Sequence, residues 1–126
     1  MEAVVLGDTQ TNVSLFAGED DAWPVEAKFI SPSLTATFRG GEFNCDIRKE
    51  LAAICDGKIS GTQIATNDGF IIVGMRRDAL GHIDVTAEGR RYSAPETHAR
   101  LAFRIDQSYL PTAIDSARRV FRLGDR

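Results

Sequence analysis

The chain lacks the long apolar run that a membrane-spanning helix needs. Across its 126 residues no hydrophobic stretch approaches the roughly 20 residues required to cross a bilayer. The first eight residues contain no basic group and are too short for a secretory signal. We therefore expect a cytoplasmic protein. We also expect one domain over residues 1–126, because a chain of this length can bury about two-thirds of its unfolded surface.

Cysteine is scarce, and its two copies, Cys45 and Cys55, fall on one predicted helix. Ten residues along a helix correspond to about 15 Å, which is too far for a disulfide. Both side chains are therefore expected to be free thiols. No sequence motif surrounds either cysteine, so a cysteine–histidine nucleophile pair is not indicated.

Histidine is equally scarce, with two residues in the whole chain. His82 and Asp84 would share one face of a strand, but together with His98 they lack the spacing of a closed zinc site. The sequence therefore predicts no metal and no other cofactor. The same strand face instead predicts ion pairs across the sheet, joining Asp84 and Glu88 to Arg100 and Arg104.

Motifs of catalysis and nucleotide binding are absent from the sequence. Gly40-Gly41 precedes a predicted helix but lacks the lysine and the spacing of a phosphate-binding loop. The preferred interpretation is a non-enzymatic protein. The alternative is a small enzyme or ligand-binding domain with a pocket near His82 and Asp84.

Charge is unevenly distributed along the chain, whose formal net charge is −3. Residues 1–69 carry eleven acidic and five basic side chains, whereas residues 70–126 carry seven acidic and ten basic ones. Chance and helix-end preferences explain this asymmetry, and so does an acidic surface that meets a basic partner. A net acidic chain argues against nucleic-acid binding.

Alternating apolar residues separated by short turns predict an antiparallel sheet. The clearest strand covers residues 99–105, and the chain then turns into Pro111, which suits the first position of a helix. Residues 18–24 and 89–95 are predicted loops. The predicted class is α+β, with a mainly antiparallel sheet of about six to eight strands, one central helix packed on it and a C-terminal helix. Further predicted strands lie near residues 2–7, 12–17, 25–29, 34–38, 58–66, 70–75 and 82–88.

Two segments have helical periodicity. In residues 44–56 Asn44 is the predicted N-cap and Gly57 the residue that follows the C-cap. The second helix is predicted from about Pro111 to Leu123. The apolar stripe of the first comprises Ile47, Leu51, Ile54 and Cys55. That of the second comprises Ile114, Ala117, Val120 and Phe121.

An acidic segment contains the only tryptophan of the chain. Glu19, Asp20 and Asp21 are consecutive and precede Trp23. In one interpretation Trp23 plugs the edge of the core and the acids only solvate a loop. In the other, Trp23 is an exposed interface anchor and the acids attract a basic partner. These four residues are the candidate partner-binding residues.

Three features carry a resemblance to a known family. Gly81-His82-Ile83 opens a strand, Leu101-x-Phe103 runs into Asp106-Gln107-Ser108-Tyr109-Leu110-Pro111, and the helix at 44–56 is followed by Gly57 and Gly61. In these features the chain from Gly81 onward resembles the WapI-like immunity proteins of bacterial polymorphic-toxin systems and related bacterial domains of unknown function. The first forty residues match in strand pattern.

The resemblance implies a small, mainly antiparallel β protein with few helices and no enzymatic activity. A member of this family binds one toxin domain made by the same cell and blocks it. The shared motif residues are implied to be structural, because they fix the turn from strand to helix. The resemblance identifies no residue that contacts the toxin.

Overall fold

The computed structural model describes residues 2–121, which form eight strands and two α-helices. The strands form two four-stranded antiparallel sheets, with the orders β1-β2-β3-β4 and β5-β6-β7-β8. The α+β class and the predicted number of strands are confirmed, with the strands divided between two sheets. In chain order the elements are β1 (Val4–Gly7), β2 (Asn12–Asp20), β3 (Trp23–Ser31), β4 (Leu34–Gly40), α1 (Ile47–Cys55), β5 (Gly61–Ala65), β6 (Ile71–Arg77), β7 (His82–Arg91), β8 (Thr97–Asp106) and α2 (Leu110–Val120).

One hydrophobic core is shared by both sheets and both helices. Alternate residues of each strand point into it, as Val25, Ala27 and Phe29 do in β3. Helix α1 lies against β5, α2 lies against β1, and the helices pack on each other. Neither helix within residues 2–121 has the length and apolar character required to span a bilayer.

Helix α1 buries three of the four residues of the predicted stripe, Ile47, Leu51 and Ile54, whereas Cys55 is only partly buried. Its N-cap is Asp46, whose carboxylate accepts a hydrogen bond from the backbone N–H of Arg48 at 3.1 Å. The prediction that Asn44 is the N-cap was wrong. Its backbone N–H donates to the carbonyl of Ala65, and this hydrogen bond holds Asn44 beside β5. Cys45 therefore precedes the helix. Both cysteines are free, as predicted.

The C-terminus of α1 is capped by its own backbone and by an arginine from β6. Gly57 has φ of 73°, as its predicted position requires, and its N–H donates to the carbonyl of Ile54. Arg77 donates from Nη1 to the carbonyls of Ile54 and Cys55, at 3.0 and 2.6 Å. Its charge also offsets the negative end of the helix dipole.

Helix α2 begins after a short 3-10 turn at Gln107–Tyr109, and Asp106 caps that turn through the Ser108 N–H at 2.9 Å. Pro111 lies in the first turn of α2, as predicted. Of the predicted face, Ala117 and Phe121 are buried, whereas Ile114 and Val120 are only partly buried. Leu110, Ala113 and Ser116 complete the buried face. The predicted end at Leu123 lies outside the described residues.

The predictions of loops at residues 18–24 and 89–95 were partly wrong, because strands extend into both segments. Strand β2 continues to Asp20 and β3 begins at Trp23, which leaves a two-residue turn. Strand β7 continues to Arg91 and contains Gly89. A Cβ atom on Gly89 would overlap the ring of Phe38, so glycine allows this side chain of β4 to contact the backbone of β7.

Asp68, in the turn between β5 and β6, ties the two sheets together. Its carboxylate accepts hydrogen bonds from the Gly41 N–H at 2.8 Å, from the buried Thr66 hydroxyl at 2.6 Å and from the Phe70 N–H at 3.1 Å. Gly41 follows the first sheet, whereas Phe70 precedes β6 in the second. This network fixes Phe70 relative to the end of β4.

Candidate functional site

The four candidate residues lie at the tip of the hairpin formed by β2 and β3. Asp20 pairs with Trp23 across the turn and accepts a hydrogen bond from the Ala22 N–H at 2.9 Å. Glu19, Asp20 and Asp21 are exposed, and we refer to these three residues as the acidic tip. The hairpin therefore presents three carboxylates next to a tryptophan.

A β-bulge sets the direction of this tip. Ala17 pairs with Val25 and Asp20 pairs with Trp23, so Gly18 and Glu19 together face Pro24 alone. A Cβ atom on Gly18 would overlap the carbonyl oxygen of Trp23, and glycine thus permits the close approach of the two strands. Bulges bend a strand and redirect its side chains. Here the bulge lies between the core-facing part of β2 and the acidic tip.

Trp23 is the first residue of β3, next to the turn of the hairpin. It continues the inward-facing alternation of Val25 and Ala27, but it lies one position beyond the buried part of β3 and is half-buried. Its ring stacks on Phe70, with centroids 5.9 Å apart and planes 28° apart. Phe70 in turn contacts Tyr92, with centroids 5.5 Å apart, and Tyr92 is 58% exposed. The three rings form a continuous aromatic row.

Two depressions adjoin Trp23. One has a volume of about 520 Å³ and is lined by the acidic tip together with Gly18. The other, which we call the Trp23 cleft, has a volume of about 630 Å³. Trp23, Glu26 and Arg39 line both. The cleft is completed by Thr37, Phe38, Phe70, Arg90, Arg91, Tyr92 and Ser93.

Arg90 forms one wall of the Trp23 cleft. It donates to the hydroxyl of Tyr92 at 3.5 Å and to the carboxylate of Glu88 at 3.3 Å, and both contacts raise its pKa. Glu88 also faces His98 at 3.5 Å and Arg100 at 3.8 Å. One carboxylate is thus shared by three basic groups. The Nε atom of Arg90 is buried and has no hydrogen-bond partner within residues 2–121.

The other two arginines of the cleft have no acidic partner in the described part of the chain. Arg91 donates to the Ser93 hydroxyl at 3.2 Å and to the Ala94 carbonyl at 3.5 Å. Arg39 is exposed on β4, where its cross-strand neighbour is Glu26. Glu26 is the one acidic residue among the cleft residues, whereas three arginines line the cleft.

At the alternative site, both His82 and Asp84 contact other side chains of the fold. Asp84 accepts two hydrogen bonds from Arg104, at 2.8 and 3.5 Å, and Arg104 lowers the pKa of this carboxyl. His82 Nδ1 lies 3.3 Å from Asp78. The predicted ion pairs of Asp84 with Arg104 and of Glu88 with Arg100 are confirmed. Within residues 2–121 no three His, Cys, Asp or Glu side chains are grouped to hold a metal ion.

A smaller depression of about 280 Å³ lies near these residues, between β8 and the turn after β1. Arg104, Asp106 and Tyr109 line it, but His82 and Asp84 do not. The two residues that defined the alternative interpretation therefore lie beside this depression rather than in it.

The sequence indicated the acidic tip but missed the residues that surround it. Phe70 and Tyr92 lie 47 and 69 positions after Trp23 in the chain, and local patterns do not bring them together. One available signal was Tyr92 itself, a lone aromatic residue in a predicted polar loop. A second was Arg90-Arg91, two adjacent basic residues in that loop.

A comparison of the chain with protein-family models, with curated proteins and with solved structures found no match in any of the three.

Proposed function

We propose that this chain is a non-enzymatic protein-binding domain that acts as an immunity protein in the cytoplasm, where it binds and neutralises a cognate toxin domain. The observation that carries the proposal is the position of Trp23. Its ring is half-buried at the end of a hairpin, next to three exposed carboxylates. A large aromatic side chain held rigidly at a surface edge is typical of an interface anchor.

The residue types around Trp23 support the same proposal. Interface residues that contribute most to affinity are enriched in tryptophan, tyrosine and arginine. The Trp23 cleft contains the chain's one tryptophan, one of its two tyrosines and three arginines. These residues come from three strands, β3, β4 and β7, and from the loop after β7, so both sheets contribute to the surface.

The acidic tip has a separate role in this proposal. Exposed charges at the rim of an interface mainly raise the association rate, and salt weakens that effect. Glu19 and Asp21 make no hydrogen bond or ion pair within the part of the chain that the structure describes, so their charges remain available to a basic partner. Trp23 would slow dissociation by burying apolar surface against the same partner.

The alternative function, a small enzyme or ligand-binding domain at His82 and Asp84, has weaker support. The Asp84 carboxylate is occupied by Arg104, and His82 contacts Asp78. Neither His82 nor Asp84 lines the depression beside them, whereas a general base must reach its bound substrate. We therefore favour protein binding.

The experiment measures binding to the C-terminal domain of a toxin-like protein encoded directly upstream of this chain. We expect Trp23→Ala to weaken binding about 30-fold or more, with little change in melting temperature, as for an interface hot spot. Tyr109→Ala is the matched control, since Tyr109 is an exposed aromatic outside this surface. Unchanged binding of Trp23→Ala, or a large fall in its melting temperature, would contradict the proposed site.

A further inference from the structure

The Trp23 cleft combines a hydrophobic ring surface with an excess of positive charge. Three arginines and one glutamate line it, alongside Trp23 and Tyr92. Arg39 and Arg91 have no carboxylate partner in the described residues, and the one carboxylate near Arg90 is shared with His98 and Arg100. Guanidinium groups that form no ion pair favour a ligand that brings its own negative charge.

The second depression beside Trp23 has the opposite charge. The acidic tip lines the 520 Å³ depression, which shares Trp23 with the cleft. Trp23 therefore adjoins both an acidic and a basic surface. A partner that covers both sides must carry complementary charges in the same order, which would fix its orientation.

We propose that the Trp23 cleft binds an acidic segment of the protein partner, one in which an aromatic side chain is flanked by carboxylates. This inference rests on the proposed function and adds the chemistry of the bound segment. The partner's ring packs beside Trp23 and Tyr92, in the offset or edge-on geometry that aromatic pairs prefer. Its carboxylates pair with Arg39 and Arg91. The cleft volume of about 630 Å³ lies within the range of about 300–1,000 Å³ seen for ligand sites.

An acidic peptide fits this surface better than a nucleic acid. Aromatic rings and arginines also bind single-stranded nucleic acids, whose backbone carries one negative charge per nucleotide. A strand leaving the cleft past Trp23 would meet Glu19, Asp20 and Asp21, and repulsion would oppose it. A peptide can place its acidic residues over the arginines and neutral or basic ones over the tip.

The experiment uses the intact chain and a short synthetic peptide in which one phenylalanine is flanked on each side by two glutamates. The peptide contains no tryptophan, so the emission of Trp23, the only tryptophan of the protein, reports binding directly. We expect a saturable change in emission that weakens as salt rises from about 50 to 300 mM, because ion pairs at an exposed site are screened.

Four comparisons test the chemistry. Replacing the glutamates of the peptide by glutamines, or its phenylalanine by alanine, is expected to weaken binding. In the protein, Arg39→Gln and Arg91→Gln should each weaken it about two- to fivefold, the range for exposed ion pairs. Arg76→Gln is the matched control, because Arg76 is an exposed arginine of β6 that does not line the cleft. Far-ultraviolet circular dichroism would verify that each variant is folded.

Three results would overturn the inference: equal binding of the glutamine peptide, tighter binding of a short single-stranded oligonucleotide, or no saturable change in Trp23 emission at millimolar peptide. The outcome is distinguishable from failure of the proposed function. A protein that binds the toxin domain but not the peptide refutes the acidic-segment inference alone. A protein that binds the peptide but not the toxin domain refutes the immunity function alone.

Discussion

The two ends of the molecule contain similar charged residues but use them differently. At the His82 end, Asp84 pairs with Arg104, Asp78 accepts hydrogen bonds from the backbone of Leu80 and His82, and Asp106 caps the turn before α2. At the Trp23 end, Glu19 and Asp21 have no such partner among the described residues. The comparison shows that charge in the sequence alone does not tell which side chains are paired after folding. We propose that the charges left unpaired mark the binding surface.

The aromatic residues also differ between the two ends. At the Trp23 end three rings are in contact, whereas Tyr109 near the other end is 41% exposed and makes no ring contact within residues 2–121. Partly exposed rings beside unpaired charges provide both an apolar anchor and charge complementarity. Paired charges on a strand face mainly stabilise the sheet.

The largest expected effect on stability comes from a substitution in the hydrophobic core. Leu51→Ala should lower the free energy of unfolding by about 2–5 kcal/mol, because it opens a cavity under the buried face of α1. Chemical denaturation gives the value. Lys49→Ala, at an exposed position of the same helix, is the control and should change it by less than about 0.5 kcal/mol. A loss below about 1 kcal/mol for Leu51→Ala would mean that the face of α1 is not tightly packed.

A smaller loss of stability should be localised at the Trp23 end. Gly89→Ala is expected to cost about 1–3 kcal/mol, since the added methyl group displaces Phe38, which lines the Trp23 cleft. Trp23 emission should change together with the melting temperature. Gly74→Ala is the matched control, because a Cβ at this strand position of the same sheet meets nothing closer than 3.8 Å. Equal effects of the two substitutions would show that Phe38 does not pack on Gly89.

The pH dependence of stability should show how much the carboxylates at the His82 end contribute to the fold. Arg104 lowers the pKa of Asp84, and the Ser108 N–H lowers the pKa of Asp106. Because the folded pKa values lie below the unfolded ones, these groups stabilise the fold above pH of about 4, and this stabilisation is lost as pH falls through the folded values. We expect Asp84→Asn to be less stable at pH 7 and to lose less stability between pH 5 and pH 2, measured by thermal unfolding.

The control for the acid experiment is Asp21→Asn at the other end. The Asp21 side chain has no hydrogen bond or ion pair to lose within the described residues, so Asp21→Asn should leave the free energy of unfolding close to that of the wild type. If Asp84→Asn also follows the wild type, the Asp84–Arg104 pair does not contribute to stability in solution.

The smallest effect on stability is expected at the acidic tip. The double substitution Glu19→Gln with Asp21→Asn should change the free energy of unfolding by less than about 0.5 kcal/mol. The same variant should bind the toxin domain with a slower association rate and a weaker dependence on salt, as measured by stopped-flow kinetics. An unchanged association rate would remove the tip from the proposed interface and leave Trp23 as the anchor.

The sequence predicted those parts of the fold that depend on local periodicity. Ile47, Leu51 and Ile54 identified α1, and the alternation of residues 99–105 identified β8, because one face of each is buried. The first residue of α1 was harder to predict. Asn44 and Asp46 are both good capping residues, and the choice depended on a hydrogen bond from Asn44 to Ala65. That contact joins segments about twenty residues apart, which local patterns do not report.

The candidate site was predictable only in part, for the same reason. Glu19, Asp20, Asp21 and Trp23 are adjacent in sequence and were found together. The Trp23 cleft needed residues from both sheets, brought together by the contact of Phe38 with Gly89 and by the hydrogen bonds of Asp68. The sequence also could not show which charges would be paired, since Arg39 and Arg104 look alike until their neighbours are known.

The order of the strands has a consequence for how the chain folds. In both sheets every strand pairs with the strand next to it in sequence, so each sheet is assembled from local hairpins. Local contacts close short loops and form quickly. The distant contacts lie elsewhere: α2 docks on β1, and Arg119 pairs with Glu2 at 2.7 Å. We therefore expect two early meanders, followed by a slower step in which the last helix docks on the first strand and encloses the shared core.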